Sequence, residues 1–142
     1  MKIKPITKKE RGDGGWQFYA MCNADGTCPL LEWLSGLNKK YSGSIKRIKT
    51  ILDICTENPE GPRLLPVEIS HDFDADNSLF EFVAGGLRVV WFYSKKMKAA
   101  VICILGFIKK GRKADRTTRQ LAIKLKKDFA SAESSTGIEV IE

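Results

Sequence analysis

Apolar and polar positions change period several times along the chain, and each change marks an element. Trp16, Phe18 and Ala20 alternate with Gln17, Tyr19 and Met21, the period of two that a strand imposes on its faces. Residues 23–26, Asn-Ala-Asp-Gly, are turn chemistry. Thr27 can then cap an expected short helix in which Leu30, Leu31, Leu34 and Leu37 fall at helical spacing and Pro29 is tolerated in the first turn. Between Lys39 and Glu57 the apolar residues Tyr41, Ile45, Ile48, Leu52 and Cys55 recur at intervals of three and four, with Lys46, Lys49 and Asp53 turned away. That spacing predicts an amphipathic helix. Pro59 and Pro62 end it, because proline cannot continue the hydrogen-bond ladder and restricts the residue before it. The two helices are expected to form a hairpin.

Residues 63–77 read as a connection. Leu64, Leu65, Val67 and Ile69 have extended character, while His71, Asp72, Asp74, Asp76 and Asn77 have that of a polar loop. Three apolar runs follow in close order, Leu79 to Val83, Leu87 to Tyr93 and Ala99 to Phe107. Gly85-Gly86 joins the first two, and both positions accept positive φ. Leu121, Leu125 and Phe129, each four apart with Ala122 beside them, predict a final helix over 114–130 with a basic back. From Ser131 onward the signals are weak and a loose tail is expected. The order β-α-α-β-β-β-α describes an α+β fold: an antiparallel meander with a helical hairpin and a C-terminal helix packed on the sheet. At 142 residues, with no repeat or linker, one domain spanning 1–142 is expected.

Charge changes this picture once it is located. Between Gly106 and Asp128 stand nine basic residues (Lys109, Lys110, Arg112, Lys113, Arg116, Arg119, Lys124, Lys126, Lys127) against Asp115 and Asp128, which accounts for the whole net charge of +7. A polyanion is the natural partner of so polarised a field; a solvated helix face is the plainer account. The basic opening residues are followed by no continuous apolar stretch before Trp16, so export is not expected. The longest apolar run, Ala99 to Phe107, is about half of a bilayer span. Cytoplasmic location and no membrane partner are the expectations. Cys22, Cys28, Cys55 and Cys103 form no Cys-x-x-Cys pair and have one histidine, His71, to join them, so neither metal nor other cofactor is expected. Cys55 and Cys103 fit buried apolar positions, and Cys22 and Cys28 are expected as a reduced pair in one loop.

The segment Leu79-Phe-Glu-Phe-Val-Ala-Gly-Gly-Leu-Arg-Val-Val-Trp-Phe-Tyr93, followed by Val101-Ile-Cys-Ile-Leu-Gly-Phe-Ile-Lys-Lys110, resembles the phage-derived HigB-like branch of the RelE/ParE toxin superfamily. Residues 120–129 resemble that family's terminal helix, and Cys28-Pro-Leu-Leu-Glu-Trp-Leu34 the opening of its first helix, so the likeness runs from about Trp16 to Phe129. Two departures stand out: Val83 where members often carry a basic residue, and Ala114-Asp115 where a proline often opens the last helix. The resemblance implies a RelE-like domain that acts as the toxin of a type II toxin-antitoxin system, an mRNA interferase that cuts messenger RNA on the ribosome. It also implies a cognate antitoxin, commonly a helix-turn-helix protein.

Such an enzyme drives a ribose 2′-hydroxyl onto its own 3′-phosphate without a metal. It needs a group to take the 2′ proton, cations for the phosphoryl charge and a donor to the leaving oxygen. One histidine rules out a His-His mechanism. The resemblance places Arg88 beside the scissile phosphate, where its planar fork suits bidentate contact; pairing with Glu81 across the hairpin is the structural alternative, and both can hold. Lys109 and Lys110 occupy the family's Lys-Lys position. Adjacent strand residues face opposite ways, so one of them shares the Arg88 face, and the choice is open. A lysine among cations is a candidate base. Arg112, Lys113 and Arg116 are expected to contact the RNA backbone, as are Lys46 and Lys49 (with Arg47) on the second helix, where solvation explains them as well. Trp91, Phe92 and Tyr93 read as core, and His71 as an exposed loop histidine. Two alternatives to the nuclease remain: a non-cleaving inhibitor of the same fold, such as a gyrase poison, and a non-toxic phage-derived nucleic-acid-binding protein.

Overall fold

The computed structural model describes residues 1–7, 15–112 and 114–142. The chain runs β1 (Lys2–Pro5), β2 (Gln17–Cys22), α1 (Pro29–Ser35), α2 (Ser42–Thr56), β3 (Ser70–Asp74), β4 (Leu79–Ala84), β5 (Leu87–Tyr93), β6 (Ala100–Ile108), α3 (Arg116–Ser134) and β7 (Glu139–Val140). The fold is α+β, with one mixed sheet in the order β3-β4-β5-β6-β2-β1-β7. Strands β3 to β6 are antiparallel neighbours, β2 lies parallel to β6, β1 antiparallel to β2, and β7 parallel to β1.

The meander of β4, β5 and β6 is present, and its first turn needs glycine at one position, Gly85, where φ is 59°. The sheet is larger than the four strands expected, for three local reasons. β1 is four residues long with one fully buried apolar side chain, Ile3, which is too short for alternation to register. β3 falls in the segment read as connection; Asp72 and Asp74 dilute its apolar residues, and a register shift occurs between them. The tail expected to be loose forms the last turn of α3 and then β7, where the N–H groups of Glu139 and Ile141 donate to the carbonyls of Met1 and Ile3, both at 2.8 Å.

Both faces of the sheet are covered. On one, α2 buries Ile48, Ile51, Leu52 and Cys55 against Phe18, Phe82, Val89 and Trp91, with Leu30 of α1 in the same core. The Trp91 ring is stacked between Phe80 and Phe82 at centroid distances of 4.7 and 4.8 Å. The expected helical hairpin is loose: α1 sits on β2 and β6, α2 on β4, and a cavity of about 370 Å³ separates Leu31 and Leu34 from Ile45. On the other face α3 buries Ala122 and Phe129 against Tyr19, Val90, Phe92, Ile102 and Ile104. Leu121, expected on the buried stripe, is 46% exposed. It lines a cavity of about 420 Å³ with Leu125, Met21, Leu105 and Trp33, where β2 parts from β6 after the Ala20–Cys103 pair.

Polar contacts fix α3 along its length. Asp115 caps it by accepting from the Thr118 N–H at 2.7 Å. Lys126 Nζ donates to the carbonyls of Asn77 and Ser78, and burial first, then Lys95, hold its pKa down. Near the C-terminal end the buried Glu133 accepts from Ser94 Oγ and from the Lys95 N–H.

Cys22 and Cys28 are joined in a disulfide, a correction to the reduced pair expected. Their turn has its own support, since Asp25 accepts from the N–H and hydroxyl of Thr27 at 2.9 and 2.7 Å. Cys55 and Cys103 are buried and free; burial pushes the Cys55 thiol up to about 11 and Cys103 higher still, so neither is a nucleophile near neutrality. Thiol titration of the unreduced protein should find two groups after denaturation and almost no reaction before it; four groups in the unreduced, denatured chain would contradict the disulfide.

Gly106 permits the contact between α1 and the sheet. A Cβ at this position would stand 2.3 Å from Trp33 Cζ3, inside the ring's van der Waals surface. Gly106→Ala is expected to destabilise the fold by about 1–3 kcal/mol in denaturant titration, the usual range for overpacking. An unchanged midpoint would mean that Trp33 is free to move aside.

Candidate functional site

The alternation of β5 sends Leu87, Val89 and Trp91 to the face covered by α1 and α2, and Val90 and Phe92 to the α3 face. Arg88 therefore shares the α3 face, opposite Phe107 of β6. Its side chain is only 13% exposed. Nη1 donates to the carbonyls of Gly85 at 2.5 Å and Leu87 at 3.2 Å, which ties the guanidinium to the hairpin turn. Nε is buried and has no hydrogen-bond partner among the described residues. Glu81 Oε1 stands 3.9 Å from it, within ion-pair range but too far for a hydrogen bond. The structure thus leaves a buried charged donor unsatisfied, an arrangement that generally costs at least about 1–3 kcal/mol and favours any acceptor that can reach it.

Glu81 lies on β4, buried, directly across from His71 on β3. The three side chains, one from each of three adjacent strands, share a face. His71 Nε2 is 2.8 Å from Glu81 Oε1, and Nδ1 is 2.7 Å from the Val67 carbonyl. A carbonyl only accepts, so Nδ1 carries a proton, and a carboxylate facing a bare Nε2 would set lone pair against lone pair. The arrangement therefore needs a second proton between Nε2 and Oε1. His71 is a strand residue with both nitrogens engaged, which corrects the expectation of an exposed loop histidine.

Lys109 follows the end of β6, and its N–H still donates to the Gly86 carbonyl at 2.8 Å. Ile108 packs with Leu87 in the α1/α2 core, so alternation carried one residue on sets Lys109 on the Arg88 face and Lys110 on the other. Lys109 is half-buried, while Lys110, Arg112 and Arg116 are exposed; Lys113 lies outside the described residues. Lys46 and Lys49 are exposed on α2, across the sheet from Arg88, so the set expected to bind RNA is divided between two faces. Of the helical basic residues, Lys124 pairs with Asp128 at 2.9 Å, and Arg119 is bound to β3.

The Arg119 contact braces the start of α3 beside the site. Nη1 is 3.3 Å from Asp74 Oδ2 and donates to the Phe73 carbonyl at 3.3 Å, with the guanidinium over the Phe73 ring at 5.2 Å. Phe73 in turn meets Phe107, the partner of Arg88, at 5.9 Å between ring centroids. Burial raises the Asp74 pKa, but hydrogen bonds from Asn77 and from Arg119 outweigh it and hold the carboxyl below the usual range.

Among the described residues, no group of His, Cys, Asp and Glu has the grouping needed to hold a metal, and no helix is long and apolar enough to cross a membrane. In comparisons with known proteins, neither a family model nor a curated protein matches the chain.

Because the Asp74 pKa is depressed in the folded state, its contribution to stability is complete above the ordinary carboxylate pKa and is lost as pH falls through the depressed value. Asp74→Asn should therefore lower the denaturation midpoint more at pH 7 than at pH 3. An equal effect at both would contradict the brace.

Proposed function

We propose that this protein is a ribosome-dependent mRNA endoribonuclease of the RelE/ParE type, the HigB-like toxin of a toxin-antitoxin pair, acting in the cytoplasm without metal or other cofactor. The observation that carries the reading is the Arg88 guanidinium, tied to a turn through Nη1 while its buried Nε has no hydrogen-bond partner among the described residues. Lys109 on the same face and the basic run that follows it add to the support, as does the motif resemblance.

In this reading a phosphate of the message takes the open edge of Arg88, whose fork spreads charge over two phosphoryl oxygens as the 2′-oxygen attacks. Phosphorus gains the bond to the 2′-oxygen and loses that to the 5′-oxygen, leaving a 2′,3′-cyclic phosphate and a 5′-hydroxyl. Lys109, rather than Lys110, takes the 2′ proton in its neutral form, is then the second cation beside the phosphoryl oxygens, and returns the proton to the leaving 5′-oxygen. Arg112, Lys113 and Arg116 hold the flanking backbone and set affinity through charge. Lys46 and Lys49, on the other face, meet ribosomal RNA. A helix-turn-helix antitoxin restrains the protein by covering the basic surface.

A second reading, a protein of this fold that binds nucleic acid or inhibits gyrase without cleaving RNA, is favoured by one observation. The histidine beside Arg88 has both nitrogens occupied and is not a free base.

Primer extension on a message in a purified translation reaction, with and without ribosomes, separates the two readings. Cuts should need translating ribosomes and fall by about 10²–10³-fold with Arg88→Ala, the loss typical of removing a transition-state charge donor. Arg88→Lys should restore little, because it lacks the fork, and Lys109→Ala should cost more than Lys110→Ala. An intact message in the presence of folded wild-type protein would overturn the nuclease reading and leave the second.

A further inference from the structure

One carboxylate oxygen stands between an imidazole and a guanidinium and hydrogen-bonds to the imidazole. Glu81 Oε1 lies 2.8 Å from His71 Nε2 and 3.9 Å from Arg88 Nε. A buried carboxylate beside a buried guanidinium ordinarily closes into a charge-assisted pair. Here the gap stays open because the imidazole draws Oε1 toward β3, and the imidazole is itself held by the Val67 carbonyl at 2.7 Å.

We propose that His71 is a positioning residue: by holding Glu81 it keeps the buried Nε edge of Arg88 free for a phosphate of RNA. The inference rests on the reading of Arg88 as the phosphate contact. The second proton of the His71–Glu81 pair is what maintains the arrangement. When that proton leaves, Nδ1 keeps its hydrogen for the Val67 carbonyl, and Nε2 presents a lone pair to Oε1. The other ion-pair partner of Oε1 is the Arg88 Nε–H, 3.9 Å away, and closing that contact occupies the Nε edge and neutralises the charge of Arg88. The charged groups around His71 leave Glu81 as its partner. Arg88 of β5 and, by alternation, Lys109 at the end of β6 are cations, and Asp74 on β3 is already engaged by Arg119 of α3.

No general base is needed from His71 in this scheme. It acts on the RNA through Glu81 and Arg88, so its effect is on affinity and on how affinity varies with pH.

Two measurements on the full chain test this. Nitrogen and proton NMR of the Arg88 Nε–H and of the His71 ring, followed through the imidazole titration without ligand, read the coupling directly. The affinity for a fully 2′-O-methylated RNA oligonucleotide, which cannot be cleaved, reads its consequence. In the wild type, the Arg88 Nε–H signal should shift with the midpoint of the His71 titration, and affinity should fall about tenfold at the same midpoint, the scale of one charge-assisted hydrogen bond. His71→Phe, which lacks a donor, should bind about tenfold more weakly at every pH, by the same scale. Adding Glu81→Gln to it should recover binding, because the amide leaves the charge of Arg88 uncompensated. His71→Gln, a donor at every pH, should rescue binding and flatten its pH profile. An Arg88 signal indifferent to the titration of His71 would overturn the proposal, as would His71→Phe binding like the wild type. If the Arg88 signal follows His71 but the wild-type protein binds no RNA at any pH, the coupling stands and the phosphate reading of Arg88 fails.

Discussion

A slip of one residue between β5 and its neighbours would carry Arg88 into the aromatic core and Trp91 under α3. The register of β5 is the constraint on which the other features depend, because this strand is covered on both faces and its two sets of side chains are chemically unlike. Trp91, stacked between Phe80 and Phe82, and Phe92, edge-on to Phe129 at 5.3 Å, lock opposite faces at once. Register in a half-buried strand is set by one apolar face; here two faces set it. The outcome is that Arg88 lands on the α3 face near the end of the strand, where Val90 and Phe92 have already filled the core beneath α3.

That placement decides the electrostatics. A guanidinium with 13% of its side chain exposed interacts more strongly with a neighbouring charge than one in bulk solvent, so the neighbours matter individually. Two turn carbonyls hold Nη1, Glu81 stands off Nε, and His71 accounts for the stand-off. The Arg119–Asp74 pair and the Phe73–Phe107 contact fasten α3 and the β3 edge around the same corner. The charges legible as a block between Gly106 and Asp128 thus divide in function: Arg119, Lys124 and Lys126 are engaged in holding the structure, while Lys109, Lys110, Arg112 and Arg116 face the site or solvent.

What the sequence reveals follows from the range of the interaction involved. Local periodicity is enough for α2, for β4 to β6 and for the last helix as far as residue 130, because the burial of Ile48, Leu52, Phe82 and Phe129 repeats within each element. It fails for β1, β3 and β7, whose pairing partners are distant or whose apolar residues are too few. Arg88 and Glu81 are recognisable as a pair because one hairpin with a Gly-Gly turn sets their spacing. His71 is not, since its pairing with Glu81 runs through the turn of Ala75–Asn77 and the bulge beside Phe73, and neither is written in a period of two. The orientation of Lys109 likewise needs the packing of Ile108 with Leu87, a contact across strands. The Cys22–Cys28 bond depends on how tightly residues 23–27 turn, and composition alone argued for reduced thiols.

The most direct test is a crystal structure of the protein with an uncleavable 2′-O-methyl RNA. The expected result is a phosphate on the Arg88 guanidinium edge that includes Nε, with the His71–Glu81 contact intact and Lys109 on the same side. RNA bound with no phosphate at Arg88, or Arg88 closed onto Glu81 with RNA bound, would contradict it.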